Sequence, residues 1–144
     1  MSVIQPPRPV LGAIAVVYHL GQVILIQRKT PPNAGWWGFP GGHVELCETA
    51  MQAAQRELFE ETGVIARPLE YLTNIDVLLR DAVGAVQKQY LLTAVLCAYE
   101  SGIPAADDDA LQACWIPVDE IEHRGLELID QVAKVARLAR QRLV

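Results

Sequence analysis

Two apolar, β-branched runs open the chain, residues 10–18 (VLGAIAVVY) and 22–28 (QVILIQR), separated only by His19-Leu20-Gly21. Runs of this length bounded by a short turn predict two adjacent strands. Residues 30–35 (TPPNAG) are a loop of turn-forming residues, and Trp36-Trp37-Gly38-Phe39 predicts a short strand before Pro40-Gly41-Gly42. Alternation along a strand puts Trp36 and Trp37 on opposite faces, so at least one is expected in a core. Thr49 to Thr62 predicts a helix marked at both ends. Thr49 and Gln52 form a capping box, and Gly63 supplies the left-handed residue that ends a last turn. Further strands are expected near 68–79, 86–99 and 112–117. The tail, roughly 126–143, predicts a second helix with Ile129, Val132, Val135 or Ala136, Ala139 and Leu143 on one stripe. Its Lys134, Arg137, Arg140 and Arg142 fall elsewhere, on a solvated face that suits a helix C-terminus. Strands before and after one central helix, with a second helix at the end, predict an α/β sandwich with a mixed sheet.

With 144 residues and no repeat or flexible linker, the chain is expected to form a single domain, 1–144. Its net charge of −5 argues against a nucleic-acid partner, which needs a basic face. No apolar run is long enough to span a membrane. Val10 to Tyr18 is short and entered through Pro6, Pro7 and Pro9, so it reads as a buried strand and not as a signal-peptide core. Cys47, Cys97 and Cys114 are odd in number and scattered, which fits reduced thiols and a cytoplasmic location. Inventory removes several chemistries. The only serines are Ser2, near the start of the chain, and Ser101, before Gly102 in an expected turn, so a serine nucleophile is not indicated. No glycine precedes a lysine, which excludes a P-loop, and no glycine triplet has dinucleotide-fold spacing.

What remains is the central helix and the loop before it. Ala50, Ala54 and Leu58 mark its core-facing stripe. At about 100° per residue, Glu61 falls within that stripe, Glu57 at its edge, and Glu60 further round beside Arg56. A solvated acidic face with an Arg56–Glu60 pair is one reading. Carboxylates one turn apart repel, however, and one turned toward an apolar stripe is costly unless something positive meets it. One arginine does not balance three glutamates, whereas Mg²⁺, which prefers oxygen ligands, does. Gly42–Val64 holds five glutamates against Arg56, a net of −4, so a polyanion approaches this surface only with cations.

The spacing then becomes specific. Gly42, five residues, Glu48, seven residues, and Arg56-Glu57-Leu58-Phe59-Glu60-Glu61-Thr62-Gly63-Val64 resemble a complete Nudix box over residues 42–64. Ile24 to Arg28, Trp37 to Gly42 and Trp115-Ile116-Pro117 are similar to the flanks of that family. The resemblance implies a Nudix fold, an α/β/α sandwich with a mixed sheet and a loop–helix–loop motif. It implies hydrolysis of a nucleoside diphosphate derivative with Mg²⁺ or Mn²⁺. By matched position it makes Glu60 and Glu61 metal ligands, joined by the Gly41 carbonyl. Glu57 becomes ligand or general base, Arg56 the group that orients the carboxylates, and Glu48 a supporting ligand through water. On the substrate side it implies Arg28 against phosphate, with Gly42 beside it, and His43 is a minor candidate because it follows Gly42. A further acid from a later loop points to Asp107, Asp108 or Asp109, with Asp109 preferred among the three, and a solvated turn shaped by these aspartates is an equal reading.

Substrate readings follow. ADP-ribose or a related nucleotide sugar is favoured, with a nucleoside triphosphate pyrophosphatase and a nucleotide-sensing module without turnover as alternatives. The proline that marks some ADP-ribose hydrolases is missing, since none lies between Pro68 and Pro104. Trp36, Trp37, Tyr71 and Tyr90 are candidates to stack a base. A homodimer is an expectation by analogy alone.

Overall fold

A computed structural model of the chain describes residues 7–143, so Ser2 and Pro6 lie outside the described residues. The strands are β1 (Val10–His19), β2 (Gln22–Arg28), β3 (Trp37–Gly38), β4 (Gly41–His43), β5 (Ile65–Arg80), β6 (Val86–Ser101) and β7 (Ala110–Pro117). Helix α1 (Ala50–Thr62) follows β4, a 3-10 turn covers Val118–Glu120, and α2 (Val132–Leu143) closes the chain. The sheet is mixed. β1 runs parallel to β6 from Val10 beside Tyr90 to Val17 beside Cys97, the other pairings between named strands are antiparallel, and an isolated parallel bridge joins Trp37 to Leu128. β5 is the last strand on that side, and its ladder to β6 shifts register at four places.

One edge of β1 is shared, and this makes the cleft. Tyr18 and His19 pair with β2, whereas Gly12 to Ile14 pair with β4. β2 therefore peels away, taking β3 and β7 with it, and the sheet forks. Alternation along β1 sends Ala13, Ala15 and Val17 to one face and Ile14 and Val16 to the other. The first face packs against Ala53, Ala54 and Leu58 of α1, and the second against Val132, Val135, Ala136 and Ala139 of α2. Two helices on opposite faces of a mixed sheet make the α/β/α sandwich. Leu58 is fully buried, and truncating such a side chain costs about 2–5 kcal/mol.

Three boundaries differ from the pattern. Gly41–His43 is a strand, because the free edge of β1 offers it a partner that no local signal shows. Residues 126–130 are not helical. The Trp37 N–H donates to Glu127 O and the Ile129 N–H donates to Trp37 O, so this segment lies extended along β3 and α2 starts only at Val132. Leu143, expected on the stripe, is exposed. Ser101 ends β6 instead of sitting in a turn. The three cysteines are free. Among the described residues, no helix is long and apolar enough to cross a membrane.

Candidate active site

Helix α1 begins as its sequence dictates. The Gln52 N–H donates to Thr49 Oγ1 at 3.1 Å, and the Thr49 N–H donates to the Gln52 side chain at 2.9 Å. Gly63, at φ 75°, ends it, and its N–H donates to Phe59 O. That frame sets the azimuth of every glutamate on the helix. Glu61 points inward and is 3% exposed, while Glu57 is half-buried and Glu60 exposed.

The cleft holds about 380 Å³ and is bounded by Ile26 and Arg28 of β2, Gly41 to His43 of β4, Glu57 and Glu61 of α1, and Asp108 and Asp109. Strand β4 grips the helix directly. The Gly41 N–H donates to Glu61 Oε1 at 3.1 Å. The Ala15 N–H donates to Pro40 O and the Val44 N–H to Leu11 O, so the bonded positions alternate and Gly41 lies between them. Its N–H and C=O therefore face away from β1, toward Glu61. At Gly42 the missing side chain is a steric requirement. A Cβ there would sit 2.5 Å from Glu57 Oε1 and 2.6 Å from Glu57 Cδ.

Arg56 is the hub of the opposite side. Its guanidinium donates to Glu48 at 2.7 and 2.9 Å, to Glu57 Oε1 at 2.9 Å and to the His43 carbonyl at 3.0 Å. Glu60 accepts from the same group at 3.3 Å, and Glu45 lies 3.9 Å away. These bonds hold the Glu48 carboxyl well below the usual carboxylate range, at about 2, and raise the proton affinity of Arg56. Glu61 receives no such partner. Burial pushes its carboxyl up to about 8, reinforced by the charges of Glu57 and Asp108 and opposed by the Gly41 N–H. Burial also raises Glu57, with Arg56 opposing, and the two carboxyls are close enough to share a proton.

The structure thus brings Glu57, Glu61, Gly41, Gly42 and Arg28 to one cleft and leaves Glu48 and Glu60 on the Arg56 side. Arg28 reaches the cleft wall with its Nε–H bonded to Pro32 O at 3.0 Å. Asp109 and Asp108 both line the cleft, but it is Asp108, at φ 51°, whose charge acts on Glu61. Glu45 also lines it. The sequence pattern counted Glu45 only as charge, because its approach depends on the turn through Cys47 at φ 69°. Among the described residues, no three His, Cys, Asp or Glu side chains close around a common point. The donor set nevertheless fits Mg²⁺, which keeps several waters and binds through one or two carboxylates. Glu61 would offer such an ion a buried oxygen that has no cationic side chain beside it among the described residues, and Glu57 would offer another that already has Arg56 beside it.

A forked mixed sheet between two helices, with a glutamate-rich loop–helix–loop at the fork, defines the class of the protein. The description of the NUDIX domain matches residues 7–137, and the chain belongs to the Nudix family. It is 39% identical over 59 residues to the phosphatase NudJ of Escherichia coli K12, a match covering 41% of this chain and 39% of that protein. The chain thus spans about two fifths of the length of the curated relatives it matches. The MutT NUDIX hydrolase of Burkholderia pseudomallei superposes with a TM-score of 0.76 at 26% identity, over 91% of this chain and 98% of that one. The NUDIX domain of Shewanella oneidensis NrtR, solved with ADP ribose, superposes with a TM-score of 0.69 at 28% identity, over 95% and 90% of the two chains.

Proposed function

We propose that this chain hydrolyses the diphosphate linkage of a nucleoside diphosphate derivative, with ADP-ribose or a related nucleotide sugar as the favoured substrate and Mg²⁺ or Mn²⁺ as cofactor. The observation that carries the proposal is Glu61, a carboxylate 3% exposed at the floor of an acidic cleft with no cation beside it. Glu57 and Glu61, with the Gly41 carbonyl facing the same way, would hold the cation, which when bound would supply positive charge to a diphosphate and lower the pKa of a water. Arg56 orients Glu57 and holds Glu48 and Glu60, so the carboxylates keep their places while charge develops. Glu57 is either a ligand of that cation or, with its proton affinity raised by burial, the base that accepts the proton of the water. Asp108 is the better candidate than Asp109 for the acid from the later loop, since its charge reaches Glu61. Arg28 is the cationic side chain on the opposite wall and meets substrate phosphate.

The nucleotide-sugar reading is supported by the ADP ribose bound to the NrtR domain, to which this chain is 28% identical. A triphosphate pyrophosphatase is the second reading, favoured by the absence of a proline between Pro68 and Pro104. Phosphate-product analysis with millimolar Mg²⁺ and a panel of nucleotide sugars and triphosphates separates them. A nucleoside monophosphate with a sugar phosphate supports the first, and inorganic pyrophosphate supports the second. Nucleotide binding without product from any member of the panel overturns both and leaves a sensing module.

A further inference from the structure

The sandwich leaves one stretch of sheet open beside the cleft. Helix α2 covers the Ile14 and Val16 face of β1, whereas Val10, Tyr90 and Val77, one row across β1, β6 and β5 at the end of that face, are only partly covered. Gly12 occupies the next row, opposite both Leu92 and His43. A Cβ at Gly12 would collide with Leu92 Cδ2, so the glycine makes room for the Leu92 side chain over β1. His43 and Tyr90 meet beside it, with ring centroids 5.9 Å apart and planes inclined by 31°. His43 is exposed and lines the cleft, and its backbone carbonyl is fixed by Arg56. Among the described residues, neither the imidazole nor the phenol hydroxyl hydrogen-bonds to protein.

The other aromatic candidates lie elsewhere. Trp37 is 7% exposed and belongs to the core. Tyr71 pairs with Val95, on the face that α1 covers. Trp36 lines a separate depression with Gln27, Gly35 and Glu127, beyond the β2–β3 layer. Tyr90 adjoins the cleft through His43, the cleft-lining residue whose ring it meets.

We infer that His43 and Tyr90 form the platform on which the planar base of the substrate stacks, making Tyr90 a specificity-determining residue of the cleft. The inference rests on the proposed diphosphate reading, because the phosphates must lie between Arg28 and Glu57 for the base to reach His43 and Tyr90. Aromatic faces hold bases by stacking, an effect of about tenfold or more in affinity.

Calorimetry with Mg²⁺, using adenosine monophosphate and ribose 5-phosphate as probes, tests the platform without requiring turnover. The wild type should bind the monophosphate about tenfold tighter. Tyr90→Leu should bring the two within about twofold while leaving ribose 5-phosphate unchanged, and Tyr90→Phe should keep the preference. Proton spectra should show an upfield shift of the adenine resonances, lost in Tyr90→Leu. His43→Ala, at an exposed position, provides the same test with no threat to folding. A preference retained in both Tyr90→Leu and His43→Ala, or one removed by Trp36→Leu instead, overturns the inference. Adenine binding through Tyr90 with no product from any substrate sinks only the hydrolytic reading. Turnover of ADP-ribose with an unchanged KM in Tyr90→Leu sinks only the platform.

Discussion

Replacing Glu61 with Gln gives the sharpest test of the site, because it removes the charge and keeps the shape. The Gln carbonyl still accepts the Gly41 N–H that Glu61 accepts at 3.1 Å, and its amide still donates to Glu57. In the metal-free protein the Glu61 carboxyl is raised from 4.5 to about 8. A carboxyl raised by folding binds its proton more tightly in the native state. Its contribution is therefore complete below pH 4.5 and lost as pH rises through about 8. At about 1.4 kcal/mol per pH unit, the full shift amounts to about 5 kcal/mol, and water entry around the charge reduces it. Each kcal/mol moves Tm by about 2–4 °C in a domain of this size. The wild type in EDTA should then lose up to about 10 °C between mildly acidic and alkaline buffer beyond any loss in Glu61→Gln. Millimolar Mg²⁺ should restore the wild type at alkaline pH and leave Glu61→Gln unmoved, because binding needs the deprotonated carboxylate. Scanning calorimetry across pH reads all three. Parallel Tm curves for the two proteins would refute the assignment of a buried, unpartnered charge to this residue.

Three more predictions follow from the same geometry. Gly42→Ala drives a Cβ to 2.5 Å from Glu57 Oε1, so metal-dependent turnover should fall by at least about tenfold while circular dichroism stays native. Arg56→Met removes the donor shared by Glu48, Glu57 and Glu60. Carboxyl titration by NMR should show Glu48 rising from about 2 toward its ordinary value, and kcat should fall with it. Thr49→Ala deletes the acceptor of the Gln52 N–H and should cost about 1 kcal/mol, seen as a Tm lower by about 2–4 °C with KM unchanged.

What the linear pattern revealed was whatever depends on neighbours within a turn or two. Thr49, Gln52 and Gly63 carry their structural instructions in their own chemistry, and the helical period alone turned Glu61 inward. Alternation likewise put Trp36 and Trp37 on opposite faces with at least one in a core, and it is Trp37 that is buried. Features decided by distant partners were not legible. Gly41–His43 reads as a turn until β1 is placed beside it, and 126–130 reads as helix until Trp37, about ninety residues earlier, claims its backbone. The left-handed backbone at Asp108, in the loop that brings Asp108 and Asp109 to the cleft, is a conformation that three consecutive aspartates do not announce. Glu60, by contrast, was legible: the helical period sets it one turn from Arg56, from which it accepts at 3.3 Å.

Strand β5 has a consequence for solubility. Its outer edge has no neighbour among the described residues and bears exposed Leu69, Tyr71 and Leu78, a combination that invites another chain to add on. Pro68 offers no N–H to such a visitor, and the register slips next to it and at Tyr71 bend the edge away from a straight template. Those irregularities act as a guard against fibrous self-association, and smoothing them would endanger the protein's solution behaviour before it touched the chemistry.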